Sequence, residues 1–74
     1  MKCIVTVHEN DDPAGVRYWA TVENLDGCNL AEETLEDLVK NGPEIIAAFV
    51  EVSNERGANI PAPTGFEFRI LVPA

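Results

Sequence analysis

The sequence predicts an α+β domain in the order β-β-β-α-β, a four-stranded mixed sheet with one helix packed on one face. Three observations lead there. Residues 34–55 (TLEDLVKNGPEIIAAFVEVSNE) repeat apolar side chains at intervals of three and four, the signature of an amphipathic helix. Residues 2–8 (KCIVTVH), 16–23 (VRYWATVE) and 66–72 (FEFRILV) alternate with the two-residue period of strands. Between these runs sit clusters of Asn, Asp, Pro and Gly, the turn formers.

The first strand, residues 2–8, directs Cys3, Val5 and Val7 one way and Ile4, Thr6 and His8 the other. Residues 9–15 (ENDDPAG) form a turn, and residues 16–23 return as the second strand of a hairpin. That strand sets Val16, Tyr18, Ala20 and Val22 against Arg17, Trp19, Thr21 and Glu23. A second turn over residues 24–27 (NLDG) leads to a short third strand at residues 28–32.

The helix follows, with Thr34 as its N-cap and Asp37 completing an Asp version of the capping box. Its stripe comprises Leu35, Leu38, Val39, Gly42, Ile45, Ile46, Phe49, Val52 and Ser53, and Gly57 is the stop. Pro43 lacks the amide that would bond the carbonyl of Val39, so a break into two helices competes with one kinked helix. The stripe keeps phase from Leu38 to Ile45 and from Val39 to Ile46, which favours the single helix.

Residues 58–65 (ANIPAPTG) make an extended Pro-rich loop before the last strand. In the last strand Phe66, Phe68, Ile70 and Val72 share one face and Glu67, Arg69 and Leu71 the other. Three strands as a meander, followed by a helical crossover, put the fourth beside the first and parallel to it, giving the order 3-2-1-4. The helix then covers Cys3, Val5, Val7, Val16, Tyr18, Ala20, Val22, Leu30, Phe66, Phe68 and Ile70.

Seventy-four residues make one domain, residues 1–74, since two cores cannot be built from so little chain. Folding at this length buries only about 60% of the unfolded chain's surface, and many such domains gain stability by oligomerising. Thirteen acids against five bases give a net charge of −8, which argues against direct nucleic-acid or anionic-membrane binding and suits a basic protein partner. The same charge also keeps a cytosolic protein in solution. No apolar run is long enough to span a membrane, and no signal-peptide layout is present, so a cytoplasmic location is expected. Cys3 and Cys28 fall two strands apart, about 9–10 Å, too far for a disulfide, and read as small core residues.

One helix leaves the other side of the sheet uncovered. That side carries Ile4, Thr6, Arg17, Trp19, Thr21, Arg69 and Leu71, an apolar centre of Trp19, Ile4 and Leu71 rimmed by Arg and Thr. Trp and Arg are enriched where proteins bind one another, so this is a candidate face for self-association or partner docking. A homodimer through Trp19 is expected; pairing between two copies of residues 66–72 along the strand edge is the alternative.

Catalytic patterns are missing from the sequence. His8 has no Cys or acid at ligand spacing, Ser53 is the only serine and lies in the helix, and no Gly-rich phosphate loop occurs. Glu32, Glu33, Glu36 and Asp37 cluster where the helix dipole favours acids, a structural role. The expectation is a non-enzyme with no catalytic residue, metal or cofactor.

Three segments carry a family resemblance. Val16-Arg17-Tyr18-Trp19-Ala20 resembles a hydrophobic–aromatic–hydrophobic–Ala segment, and Asn24-Leu25-Asp26-Gly27-Cys28 resembles an "lPGc" turn with Asp26 where Pro is common. Glu33-Thr34-Leu35-Glu36-Asp37-Leu38 is similar to an "eTLeEl" helix start. Together they resemble the N-terminal domain of HicB-like antitoxins, in a compact single-domain branch of uncharacterised function. The resemblance implies a truncated ribonuclease-H-like fold and a bacterial HicA/HicB-type toxin–antitoxin pair, in which the antitoxin docks on and blocks a small basic mRNA-interferase toxin; the alternative is an orphan structural or oligomeric domain with no toxin partner. It also implies that nuclease chemistry would need an acid in the middle of the first strand, and residues 3–7 contain none. HicB antitoxins usually carry a C-terminal DNA-binding segment; a chain ending at Ala74 is expected to lack that autorepressor role.

Overall fold

The computed structural model describes residues 1–10 and 17–71. Its elements are β1 (Lys2–Glu9), β2 (Tyr18–Val22), β3 (Asn29–Glu32), α1 (Leu35–Glu55) and β4 (Gly65–Leu71). They form one four-stranded sheet in the order β3-β2-β1-β4. β1 and β2 pair antiparallel, as do β2 and β3, while β4 lies parallel to β1. The α+β arrangement read from the sequence is the one observed.

Alternation decides which side of each strand is buried. Cys3, Val5 and Val7 on β1, Ala20 and Val22 on β2 and Leu30 on β3 all face the helix and are buried. The middle strands offer small side chains, whereas β3 and β4 offer Leu30, Phe66 and Phe68. Small residues flanked by large ones leave a trough in which the helix can settle. At its floor stands Gly42. A Cβ there would lie 3.3 Å from Leu30 Cδ1 and 3.5 Å from Phe68 Cε1, so side chains from the two outermost strands meet at this one position.

The helix starts and stops where its local chemistry dictates. Thr34 is extended (φ −127°, ψ 153°), and its Oγ1 accepts a hydrogen bond from the Asp37 amide at 3.0 Å. That satisfies one of the first-turn donors, and Glu36 and Asp37 suit the positive end of the helix dipole. At the other end Gly57 takes φ +100°, which a glycine reaches without steric penalty. The Ala58 amide then donates to the Ser53 carbonyl (3.0 Å) and the Gly57 amide to that of Asn54 (3.1 Å), the paired bonds of a Schellman ending. The helix runs unbroken through Pro43, which rules out the two-helix alternative. Val39, whose carbonyl loses its partner to Pro43, is exposed, so water can take that bond.

The buried line on the helix corrects the expected stripe. Leu38, Gly42, Ile46 and Val50 are buried; Val39, Ile45 and Val52 are exposed. Steps of four residues advance about 40° beyond a full turn, so a seam along them winds around the helix. By the last turns it has reached Val50 and left Val52, 45% exposed, behind. Three corrections concern the sheet. Ile70, expected under the helix, is 45% exposed, because β4 has a neighbour on one side only and is exposed from Arg69 onward. Tyr18 faces the helix side but is half-buried. Cys28 precedes β3 instead of opening it, yet it is buried, as is Leu25 in the preceding turn. Val16, Val72 and most of the first turn lie outside the described residues.

Two ties hold the Pro-rich return to the body. The Asn54 side chain donates to the Ile60 carbonyl at 2.9 Å and accepts from the Ile60 amide at 2.8 Å. Ile60 thereby rests half-buried on the core. The Thr64 amide donates to the Met1 carbonyl at 2.8 Å, one step before β4 pairs with β1.

Candidate protein-docking face

The register of the three strand pairs builds the uncovered face row by row. His8 stands beside Trp19 on one side and Leu71 on the other, and Trp19 in turn beside Ala31. The next row runs Asn29, Thr21, Thr6, Arg69. Beyond it Ile4 lies next to Glu67, and the Glu23 amide donates to the Ile4 carbonyl at 2.9 Å. Six of the seven residues expected on this face (Ile4, Thr6, Trp19, Thr21, Arg69 and Leu71) therefore share it. Arg17 immediately precedes β2, is exposed, and its carbonyl accepts the Asn10 amide at 2.7 Å where the hairpin closes.

A contact that alternation alone had missed lies at the centre. The His8 imidazole stacks on the Trp19 indole with ring centroids 4.1 Å apart and planes 14° from parallel. Counting the hairpin register out from Val5 opposite Val22 would have found it, since that places His8 and Trp19 across from one another. Trp19 remains 42% exposed and Leu71 51% exposed, while Ile4, Thr6 and His8 are half-buried by their neighbours.

Charge on this face differs from that of the whole chain. Lys2, Arg17 and Arg69, three of the five bases, lie on or beside it, with Glu23 and Glu67. Glu67 receives the Arg69 Nε at 2.7 Å and the Lys2 Nζ at 3.3 Å. Those bonds, Arg69's foremost, hold its carboxyl below the usual Glu range. The acids concentrate on α1, which carries Glu36, Asp37, Glu44, Glu51 and Glu55 against Lys40.

Compared with known proteins, the chain matches no family model, no curated protein and no solved structure.

Among the described residues, no group of three or more His, Cys, Asp or Glu side chains could hold a metal ion. Among these same described residues none that is charged or polar is buried, and no buried side-chain nitrogen or oxygen lacks a partner. Cys3 and Cys28 are free and buried, and burial pushes both thiols above their ordinary 9.0. A thiol held protonated in an apolar core is a poor nucleophile. No helix among the described residues is long and apolar enough to cross a membrane. What the uncovered face can do chemically is bind: it offers a flat aromatic pair, an exposed aliphatic side chain and a rim of hydroxyl and guanidinium donors.

Proposed function

We propose that this chain is a non-enzymatic, cytoplasmic protein-interaction domain of the antitoxin type, which binds and blocks a small basic mRNA-interferase toxin through the uncovered face of its sheet. The observation that carries the reading is the stacked His8–Trp19 pair beside Leu71, an apolar aromatic centre open to solvent and rimmed by Thr6, Thr21 and Arg69. A few residues carry most of the energy in protein interfaces, and Trp and Arg are enriched among them. The net charge of −8 acts at longer range. It raises the encounter rate with a basic partner, while the uncovered face makes the close contacts. The toxin as occupant comes from the HicB-like segments at residues 16–20, 24–28 and 33–38. Two free buried thiols suit a reducing cytoplasm.

The test is coexpression with the product of an adjacent small basic reading frame, or with a HicA-type toxin. A co-purifying complex and restored growth are expected, with both lost on Trp19→Arg. A stable complex that forms equally well with Trp19→Arg would remove the uncovered face from the proposal. No complex and no growth rescue would remove the toxin.

A further inference from the structure

We infer that β4 is a self-association edge, where a second copy of this chain adds its own β4 antiparallel, about a two-fold axis through Phe68. This does not rest on the partner proposed for the uncovered face. β4 is the last strand in the order β3-β2-β1-β4, with β1 on one side. Among the described residues, Gly65–Leu71 makes no backbone hydrogen bond outside its ladder with β1. Such an edge is a template for another strand, and it is unusually apolar at one end. Ile70 is 45% exposed on the helix side and Leu71 51% exposed on the other.

Side-chain chemistry selects the register. A two-fold perpendicular to the sheet, passing through a residue, keeps the helix side continuous and pairs positions equidistant from that residue. Centred on Glu67 or Arg69, it would set like charges directly opposite each other, which is destabilising. Centred on Phe68, it sets Glu67 of each copy against Arg69 of the other and Phe66 against Ile70, and it uses the full strand. It also sets Leu71 against Gly65, where a Cβ would meet nothing within 4 Å, so there is space for the incoming leucine. Opposite charges, apolar pairs and a large residue over a vacant position coincide in this register alone. The pairing would extend the sheet from four strands to eight and bring both uncovered faces onto one surface.

Light scattering and sedimentation equilibrium of the full chain test this, with circular dichroism as the control for folding. A dimer is expected. Arg69→Glu and Glu67→Arg should each weaken it roughly tenfold, and the double variant Glu67→Arg/Arg69→Glu should restore it, because the swapped charges again face opposites. Should a reversal variant unfold, amide exchange of the wild-type chain decides: alternate β4 amides should gain protection as concentration rises. A monomeric wild type overturns the inference. So does a dimer indifferent to both reversals, one dissociated by Trp19→Ala but not by the reversals, or β4 amides whose exchange ignores concentration.

Discussion

The imidazole of His8 lies flat against the indole of Trp19, 4.1 Å between ring centroids, on the side of the sheet that the helix leaves bare. The two face each other across the β1–β2 hairpin, so the stack also pins its register. Trp19 is the only tryptophan in the chain, so its fluorescence reports on this face alone. His8→Ala is expected to shift its emission to the red as the ring gains water. The loss of stability should be about 0.5–1.5 kcal/mol, read from urea unfolding. An unchanged spectrum would mean that the stack does not persist in solution.

Gly42 gives a graded test of how closely the helix sits on the sheet. Gly42→Ala gains about 1 kcal/mol of helix propensity but presses a methyl to within 3.3 Å of Leu30 Cδ1. The two effects should leave it within about 1 kcal/mol of the original chain. Gly42→Val adds two further carbons where Leu30 and Phe68 already converge and should cost about 1–3 kcal/mol. Thermal melts of both variants check the order. A valine variant as stable as the alanine one would mean the helix can lift freely.

The two thiols give a pH dependence with a definite sign. Their pKa values are raised by burial in the folded chain, so the unfolded chain loses these protons first as pH rises. Stability is then whole below the ordinary value of 9.0 and falls between that value and the raised folded one. The limiting slope is about 1.4 kcal/mol per pH unit for each thiol. Denaturation curves from pH 8 to 10 should show the fall, and a Cys3→Ala/Cys28→Ala variant should lack this component of it. Equal slopes in the two proteins would count against it.

Asn54 closes the helix end onto the Pro-rich return with two bonds to Ile60, at 2.9 and 2.8 Å. Asn54→Ala should cost about 1–2 kcal/mol and speed amide exchange at Ile60. Exchange at Ile60 that does not change would show that Pro61 and Pro63 hold the loop unaided.

Much of this fold can be read from residue order because most strands bury one face. Val5 and Val7 declare the buried side of β1, and Thr34 and Gly57 mark the ends of α1 by chemistry local to each. The exchange of Val52 for Val50 could not be read, since it depends on the angle at which helix crosses sheet. Burial of Leu25 likewise follows from where a turn lands. The uncovered face was legible as a set of residues through Trp19, Ile4 and Leu71. The partner of Trp19 was not, because His8 becomes its neighbour only once Val5 is placed opposite Val22.

The parallel pairing of β1 with β4 also sets an order of assembly. As the chain leaves the ribosome, β1 has β2 to pair with early, but its other flank stays vacant until residues 65–71 have been made. Lys2 meets Gly65 and His8 meets Leu71, sequence separations of about sixty residues, and pairings this distant along a chain form slowly because a long loop must close first. Until then β1 keeps one edge of unsatisfied backbone amides and carbonyls, open to a stray strand from a neighbouring chain.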